Sequence, residues 1–386
     1  MKLRHASALM LAAICTVTSA CHAQPAPVSS SLPETTLRVV RANPMPSPRA
    51  AHSATRLADG RVLIAGGCNA NGCEEGIAED AILFDPATGA FSQAAVLVQA
   101  RVGHRAVALT DGSVLLFGGF TPDGVTDIVE RYVPQTGHFE PHGRMLQPRD
   151  GFSATQLSDG SILLAGGYTD GMRRLATAER YDPISGRSHS VGAMSVERMS
   201  HTATLLPDGR VLLAGGSRSS SEIVSSVEIF DPATGTFSPA GALARPRHKH
   251  AAVSIGGRVL LLGGASIPED DGHFADSEWW SSQGVGPGPR MSEDRYKFLD
   301  SLAMLDDGQM LVAGGGMHVE VLSADGTVFH PLEQMIGQRL AFTTVTALND
   351  GRLLIAGGYD PDIHPTHNAW LLEGMRDGNP NTTYTD

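Results

Sequence analysis

Asp59-Gly60-Arg61-Val62-Leu63-Ile64-Ala65-Gly66-Gly67 is the stretch on which the fold turns. Asp-Gly is a strong signal for a two-residue hairpin, because the central positions of that turn favour positive φ. The apolar run after it has the length and branching of a buried strand. The double glycine marks a point where backbones approach closely or the chain takes positive φ. Working outward, Ser53-Ala54-Thr55-Arg56-Leu57 reads as the partner strand before the hairpin. After a variable loop, a third strand ends in Phe84-Asp85-Pro86-Ala87-Thr88-Gly89, again turn chemistry, and a fourth starts near Phe91.

The pattern repeats. Gly-Gly pairs stand at 66–67, 118–119, 166–167, 215–216, 263–264, 314–315 and 357–358, and each has a glycine six positions earlier, usually as Asp-Gly. A fixed offset kept through seven units spaced 43 to 52 residues apart identifies a repeat architecture. The third turn recurs as Tyr132-Val133-Pro134-Gln135-Thr136-Gly137, Tyr181-Asp182-Pro183-Ile184-Ser185-Gly186 and Phe230-Asp231-Pro232-Ala233-Thr234-Gly235. An aliphatic strand ending in Gly-Gly, an aromatic-Asp-Pro turn and then a Pro-Arg segment together resemble the Kelch repeat. The resemblance covers about residues 35 to 375. It implies an all-β fold: a seven-bladed Kelch-type β-propeller with four-stranded blades. The sequence departs from the pattern in the fourth strand, where Phe mostly replaces the usual Trp, and in units five to seven, which lack the Asp-Pro turn. The last unit has no fourth strand, whereas Thr36-Leu37-Arg38-Val39-Val40 matches one, so the N-terminal strand is expected to close the ring in the last blade.

Residues 1–23 read as a signal peptide: Lys2 and Arg4, an apolar stretch from Ala6 to Val17, then small residues. Ser19-Ala20-Cys21 resembles a lipobox, with Thr18 in place of the usual aliphatic residue, so lipidation of Cys21 and membrane attachment through it compete with plain cleavage after Ala23. A linker over 24–34, a propeller over 35–375 and a polar tail over 376–386 follow. The expected location is exported: periplasmic or outer-membrane-anchored as a lipoprotein, otherwise secreted. Cys68 and Cys73 remain after the leader, and an oxidising compartment favours a local disulfide between them. Without the two leader cations the chain has 27 basic and 41 acidic residues, a balance of −14, which argues against nucleic acid as a partner. A monomer without cofactor is expected.

Strand parity puts the loops after each Gly-Gly and the blade-to-blade connections on one face. Near the start of the units on that face stand Arg49, Arg101, Arg149, Arg198, Arg247 and Arg339, with Lys297 at the matching offset in unit six. Two readings stand. Guanidinium forks suit carboxylates and phosphates, so the arginines could ring the channel mouth and bind an anion; or each could brace neighbouring blades by bonding loop carbonyls. Three residues on come His52, His104, His201 and His250, with Phe152 and Phe342 in units three and seven. They fit a proton-transfer or metal role, or else a packing position where His and Phe interchange. The insertion within 265–296 carries Glu269, Asp271 and His273, candidate ligands for a divalent cation, and Trp279 and Trp280, candidate platforms for a sugar ring.

Four Kelch-type activities bear on these residues. Galactose oxidase resembles the chain in its blades but needs a copper site built on a Tyr-Cys crosslink, whereas here Cys68 and Cys73 have no tyrosine nearby in sequence. The periplasmic sialic-acid mutarotases are exported propellers for a carboxylated sugar. Seven-bladed polysaccharide lyases act on uronic acids, and Kelch adaptors capture acidic peptides with arginines in blade-to-blade loops. Fold alone does not choose among them. The expectation is a binding module for an anionic small molecule, glycan or acidic peptide at the arginine-bearing mouth. The alternative is an enzyme on uronic or sialic-type sugars, with His104, His201 or His250 as base and an arginine clamp.

Overall fold

The structure is a computed structural model that describes residues 36–71, 73, 76–266 and 272–375. The leader with Cys21, the linker, the C-terminal tail, Glu269 and Asp271 lie outside the described residues. Seven four-stranded antiparallel sheets form a ring of blades. Blade 1 runs through Ser53–Arg56, Val62–Ala65, Asp80–Asp85 and Ala90–Val96, from the channel outward, and blades 2 to 6 repeat that order. Blade 7 takes Thr344–Ala347, Leu353–Ala356 and Ala369–Met375, and its outermost strand is Thr36–Arg41. That strand pairs in register from Thr36 opposite Met375 to Arg41 opposite Trp370. The expected closure by the N-terminal strand is therefore present, and it removes the sheet edge that an open last blade would expose.

The core is divided into layers between neighbouring blades. Leu63, Ala81 and Leu97 of blade 1 pack against Val114, Leu116 and Tyr132 of blade 2, and similar clusters fill all seven interfaces. Because the second strand is buried on both faces, it is apolar throughout rather than alternating: Val62–Ala65, Val114–Phe117, Ile162–Ala165 and Val211–Ala214 are fully buried. Blades 5 and 6 lack the Asp-Pro turn yet keep four strands, turning instead at Ser281–Gly284 and Ser323–Thr327.

The double glycine joins the blades. The amide of each second glycine donates to a carbonyl at the start of the next blade: Gly67 to Arg101, Gly119 to Arg149, Gly167 to Arg198, Gly216 to Arg247, Gly264 to Arg295, Gly315 to Leu340 and Gly358 to Arg49, at 2.6 to 2.9 Å. The last of these closes the circle. The first glycine sits at positive φ, between 56° and 74°, and a Cβ there would fall under 3 Å from the next blade in six cases and, at Gly314, 2.7 Å from Ser301 Oγ. Both the conformation and the space demand glycine.

Two short hairpins, Phe120–Thr121 with Gly124–Val125 and Tyr168–Thr169 with Arg173–Arg174, stand after the double glycines of blades 2 and 3. Among the described residues no helix is long and apolar enough to cross a membrane.

Candidate functional site at the channel mouth

The repeated arginines are consumed inside the blades. Arg49, Arg101, Arg149, Arg198 and Arg247 have at most 1% of their surface exposed. In each, Nη1 donates to the carbonyl of the first glycine of its own blade, at 2.7 to 3.1 Å. Four of them also pair with a buried glutamate of the third strand: Arg101 with Glu130, Arg149 with Glu179 at 2.8 Å, Arg198 with Glu228 at 2.6 Å and Arg247 with Glu278 at 2.7 Å. Blade 1 uses Asp80 instead, at 2.6 Å from Arg49. The same glutamates accept amides of the connecting segment, such as Ser195 to Glu228 and Leu146 to Glu179, so each pair fastens the entering chain to the blade. These five guanidinium groups do not face the channel, and the bracing reading holds for them.

Units six and seven differ from expectation. Arg295, not Lys297, fills the arginine place in blade 6, bonding the Gly314 carbonyl and Glu320. In blade 7 the place belongs to Leu340, whose carbonyl receives the Gly315 amide. Arg339 lies one residue earlier, about one-third exposed, in a two-pronged pair with Asp294 at 2.8 and 3.1 Å.

The histidines are plates between blades. The ring of His104 covers Gly66 of the preceding blade, as His201 covers Gly166, His250 covers Gly215 and His52 covers Gly357; Phe152 and Phe298 cover Gly118 and Gly263 in the same way. Thr343, not Phe342, fills this place in blade 7. Each histidine Nε2 bonds a hydroxyl at the head of the neighbouring inner strand: His52 to Thr344, His104 to Ser53, His201 to Ser153 and His250 to Thr202, at 2.8 to 3.0 Å. Burial, then the positive charge of the nearby arginine, pushes His52 down to about 3 and the other three well below the ordinary histidine range. Each is held through Nε2 by its neighbour's hydroxyl, and among the described residues they form no group that could hold a metal ion.

The singular features lie at the mouth. Inner strands of blades 1, 3, 4 and 7 begin with a hydroxyl residue; blade 2 begins with Arg105, and the next blade correspondingly carries Phe152 in place of histidine. Arg105 Nε donates to the Phe152 carbonyl at 2.9 Å, while its Nη1 reaches Asp300 Oδ2 of blade 6, across the channel, at 3.2 Å. Asp300 is there because blade 6 is longer at this point. From the buried arginine to the first glycine, blades 1 to 4 count 17 residues and blade 6 counts 19. The extra length turns Leu299 and Asp300 into the channel, where the Asp300 carbonyl accepts the Val345 amide at 2.9 Å.

Around the mouth, the residue two after each arginine place takes a left-handed conformation: Ala51, Gly103, Gly151, Ser200, Lys249, Lys297 and Phe342 have φ between 49° and 72°. Backbone bonds link several of them in series, Ser200 to Gly151, Lys249 to Ser200, Lys297 to Lys249 and Phe342 to Lys297. At Gly151 the amide turns to its neighbour's carboxylate, Asp150 Oδ1, at 2.6 Å, and Tyr168 Oη donates to Asp150 Oδ2 at 2.6 Å. A Cβ on Gly103 would sit 2.7 Å from that carboxylate, so glycine makes room for it. Burial pushes the Asp150 carboxyl above its usual range in spite of these donors.

A cavity of about 260 Å³ at the mouth is bounded by Arg105, Asp150, Tyr168, Lys249, Asp300 and Phe342. A deeper chamber of about 460 Å³ lies between the inner strands, and Arg105, Leu299 and Asp300 border both. The remaining candidates sit elsewhere. Trp279 and Trp280 are buried in the third strand of blade 5, and Trp280 Nε1 bonds the Ala240 carbonyl at 2.9 Å, so neither offers a face to a sugar. His273 stacks on Tyr296 at 4.6 Å with Nδ1 3.3 Å from Asp294. Cys68 and Cys73 form the expected disulfide. Sequence reading missed Arg105, Asp150 and Asp300; the signal for Arg105 was an arginine where most other blades carry a hydroxyl, for Asp300 the longer spacing of blade 6, and for Asp150 the repeat gave none.

A family model described as "Kelch motif" matches residues 198–243. Among curated proteins none matches the sequence. A solved structure described as a novel fungal alcohol oxidase with catalytic diversity among the AA5 family, in complex with copper, is similar over 87% of this chain and 76% of its own, with a TM-score of 0.69 and 17% identity. At that identity the likeness is one of fold.

Replacing Arg198 by Met is expected to cost about 3–5 kcal/mol in urea unfolding, because Glu228 would stay buried without its partner. A loss under about 1 kcal/mol, as for an exposed pair, would contradict the bracing role. The histidines predict acid sensitivity. With folded values depressed and unfolded values near 6.5, the unfolded chain takes up protons first as pH falls. The stability they contribute is complete above about pH 6.5 and is lost as pH falls below it, for His52 on the way to about pH 3, each ring contributing a slope of at most about 1.4 kcal/mol per pH unit. Melting temperature should therefore drop through this window, and His201→Phe should flatten the drop.

Proposed function

This chain is a Kelch-repeat β-propeller, and we infer that it is a binding module seating a small anionic ligand at the channel mouth. The observation that carries the reading is Arg105. It faces the cavity whereas the repeated arginines are internal, and its Nη2 has no hydrogen-bond partner among the described residues. A guanidinium fork with an unspent donor suits a planar carboxylate. Lys249 adds a second cation on the same rim, with Nζ 5.3 Å from the Tyr296 ring. In a chain of net charge −12, these two cations stand on one rim with the carboxyl groups of Asp150 and Asp300, so an incoming acid has donors to meet there.

The volume favours a ligand of one sugar ring over an extended acidic peptide, and apolar Met199 and Phe342 border the same space. A carboxylated sugar is thus the class we propose. Export, read from residues 1–23, accords with the Cys68–Cys73 disulfide, since such bonds persist in oxidising compartments. The copper chemistry named for the structural neighbour is not carried over. The cysteine of a Tyr-Cys crosslink is lacking among the described residues, because Cys68 and Cys73 are bonded to each other.

Asp150 favours a second reading, catalysis on the same sugar acids. A carboxyl whose pKa burial raises, hydrogen-bonded to a phenol beside Arg105, is the group here placed to accept and return a proton, as general acid–base chemistry requires. It takes the part first assigned to the histidines.

Two measurements test these readings. Galacturonate and N-acetylneuraminate should raise the melting temperature, with a stabilisation that grows as the logarithm of their excess and reaches about 2.7 kcal/mol at one hundred times Kd, and Arg105→Ala should abolish the gain. Equal stabilisation by neutral galactose would sink the anion reading. For the enzyme reading, proton NMR of either sugar acid should show accelerated anomer exchange or a new product, lost in Asp150→Asn; an unchanged spectrum leaves the protein a binder.

A further inference from the structure

The Arg105–Asp300 pair is where two departures from the repeat meet. One is an arginine where other blades carry a hydroxyl; the other is an aspartate delivered by the added length of blade 6. We propose that Asp300 is a built-in competitor for the anion seat, occupying Arg105 until a ligand carboxylate takes its place. This rests on the reading of the mouth as an anion site.

Three observations carry it. The contact is a single one at 3.2 Å, from Nη1 alone, so a ligand carboxylate engaging Nη1 and Nη2 together would form the better fork. The Asp300 side chain is 60% exposed, and an exposed pair of this kind is weak, so its release into water costs little. The turn itself is held by the Val345 amide on the Asp300 carbonyl, which lets the side chain leave without the backbone. Because Asp300 borders both cavities, its departure also widens the passage from the mouth to the deeper chamber. A competitor that holds the seat most of the time lowers apparent affinity by the fraction of time the seat is free. It lowers the affinity of every anion by the same factor, so the weakest, monodentate ones such as chloride fall furthest short of filling the seat.

Calorimetric titration of the whole protein with galacturonate tests this, using wild type, Asp300→Asn and Arg105→Ala, each checked for folding by its melting curve. Asp300→Asn should bind about 3- to 10-fold more tightly than wild type, and Arg105→Ala should lose binding. Unchanged or weaker binding by Asp300→Asn, with binding lost in Arg105→Ala, overturns the competitor and leaves the anion site standing. Wild-type affinity in Arg105→Ala overturns the anion site and the competitor with it. No binding by any variant, Asp300→Asn included, also overturns the proposal, since the unmasked seat should then be at its strongest. Should Asp300→Asn fail to fold, Asp300→Ser gives the same reading.

Discussion

The bond from the second glycine's amide to the carbonyl that opens the next blade is the constraint on which the ring depends. It is made seven times, and the last, from Gly358 to Arg49, returns to the beginning. Around it the other repeated residues fall into place. The first glycine leaves room for the neighbour's backbone and for the histidine or phenylalanine plate. The arginine whose carbonyl accepts the bond sends its side chain back to the first glycine of its own blade. Each blade is thereby tied to its neighbours by one repeated set of groups beside the apolar layers, and stability becomes largely a matter of adjacent interfaces, as in other repeat proteins.

That economy explains why the most conspicuous charges are not the functional ones. A buried guanidinium is tolerable only when its charge and its donors are matched, and the third-strand glutamates with the glycine carbonyls match them. A residue that recurs in nearly every blade is answering a demand that recurs in every blade. Arg105, Asp150 and Asp300 answer no such demand. They occupy positions where other blades carry mostly hydroxyls, a varied set of side chains, or nothing, and they gather at the mouth because the inner strands and blade connections converge there. The two glycines at 103 and 151 show the local accommodation: one clears space for the Asp150 carboxylate and the other donates to it.

Particular residues show how far the sequence could be read. The arginine of blade 6 was misplaced at Lys297 because counting back from Gly314 assumed the spacing of the other blades, and that blade carries the longer segment that delivers Asp300. Arg339 was taken for a repeat arginine although Leu340 fills the place, since an apolar residue gives no charge signal to follow. The glutamates at 130, 179, 228, 278 and 320 were legible in principle, each two residues before the end-of-strand aromatic or aliphatic position, and they foretell that the arginines are already paired. Trp279 and Trp280 looked like a ligand platform in a one-dimensional reading, but their strand sits between blades, so both faces are covered.

By itself the sequence determined the number of blades, their four-strand pattern and the closure by residues 36–41. Those follow from local turn chemistry and from a period that repeats along the chain, and both are written in consecutive residues. Only the tertiary structure decided which charges face the channel. Burial and pairing depend on residues brought together from opposite sides of the ring, 195 positions apart for Arg105 and Asp300, and no local pattern encodes that meeting.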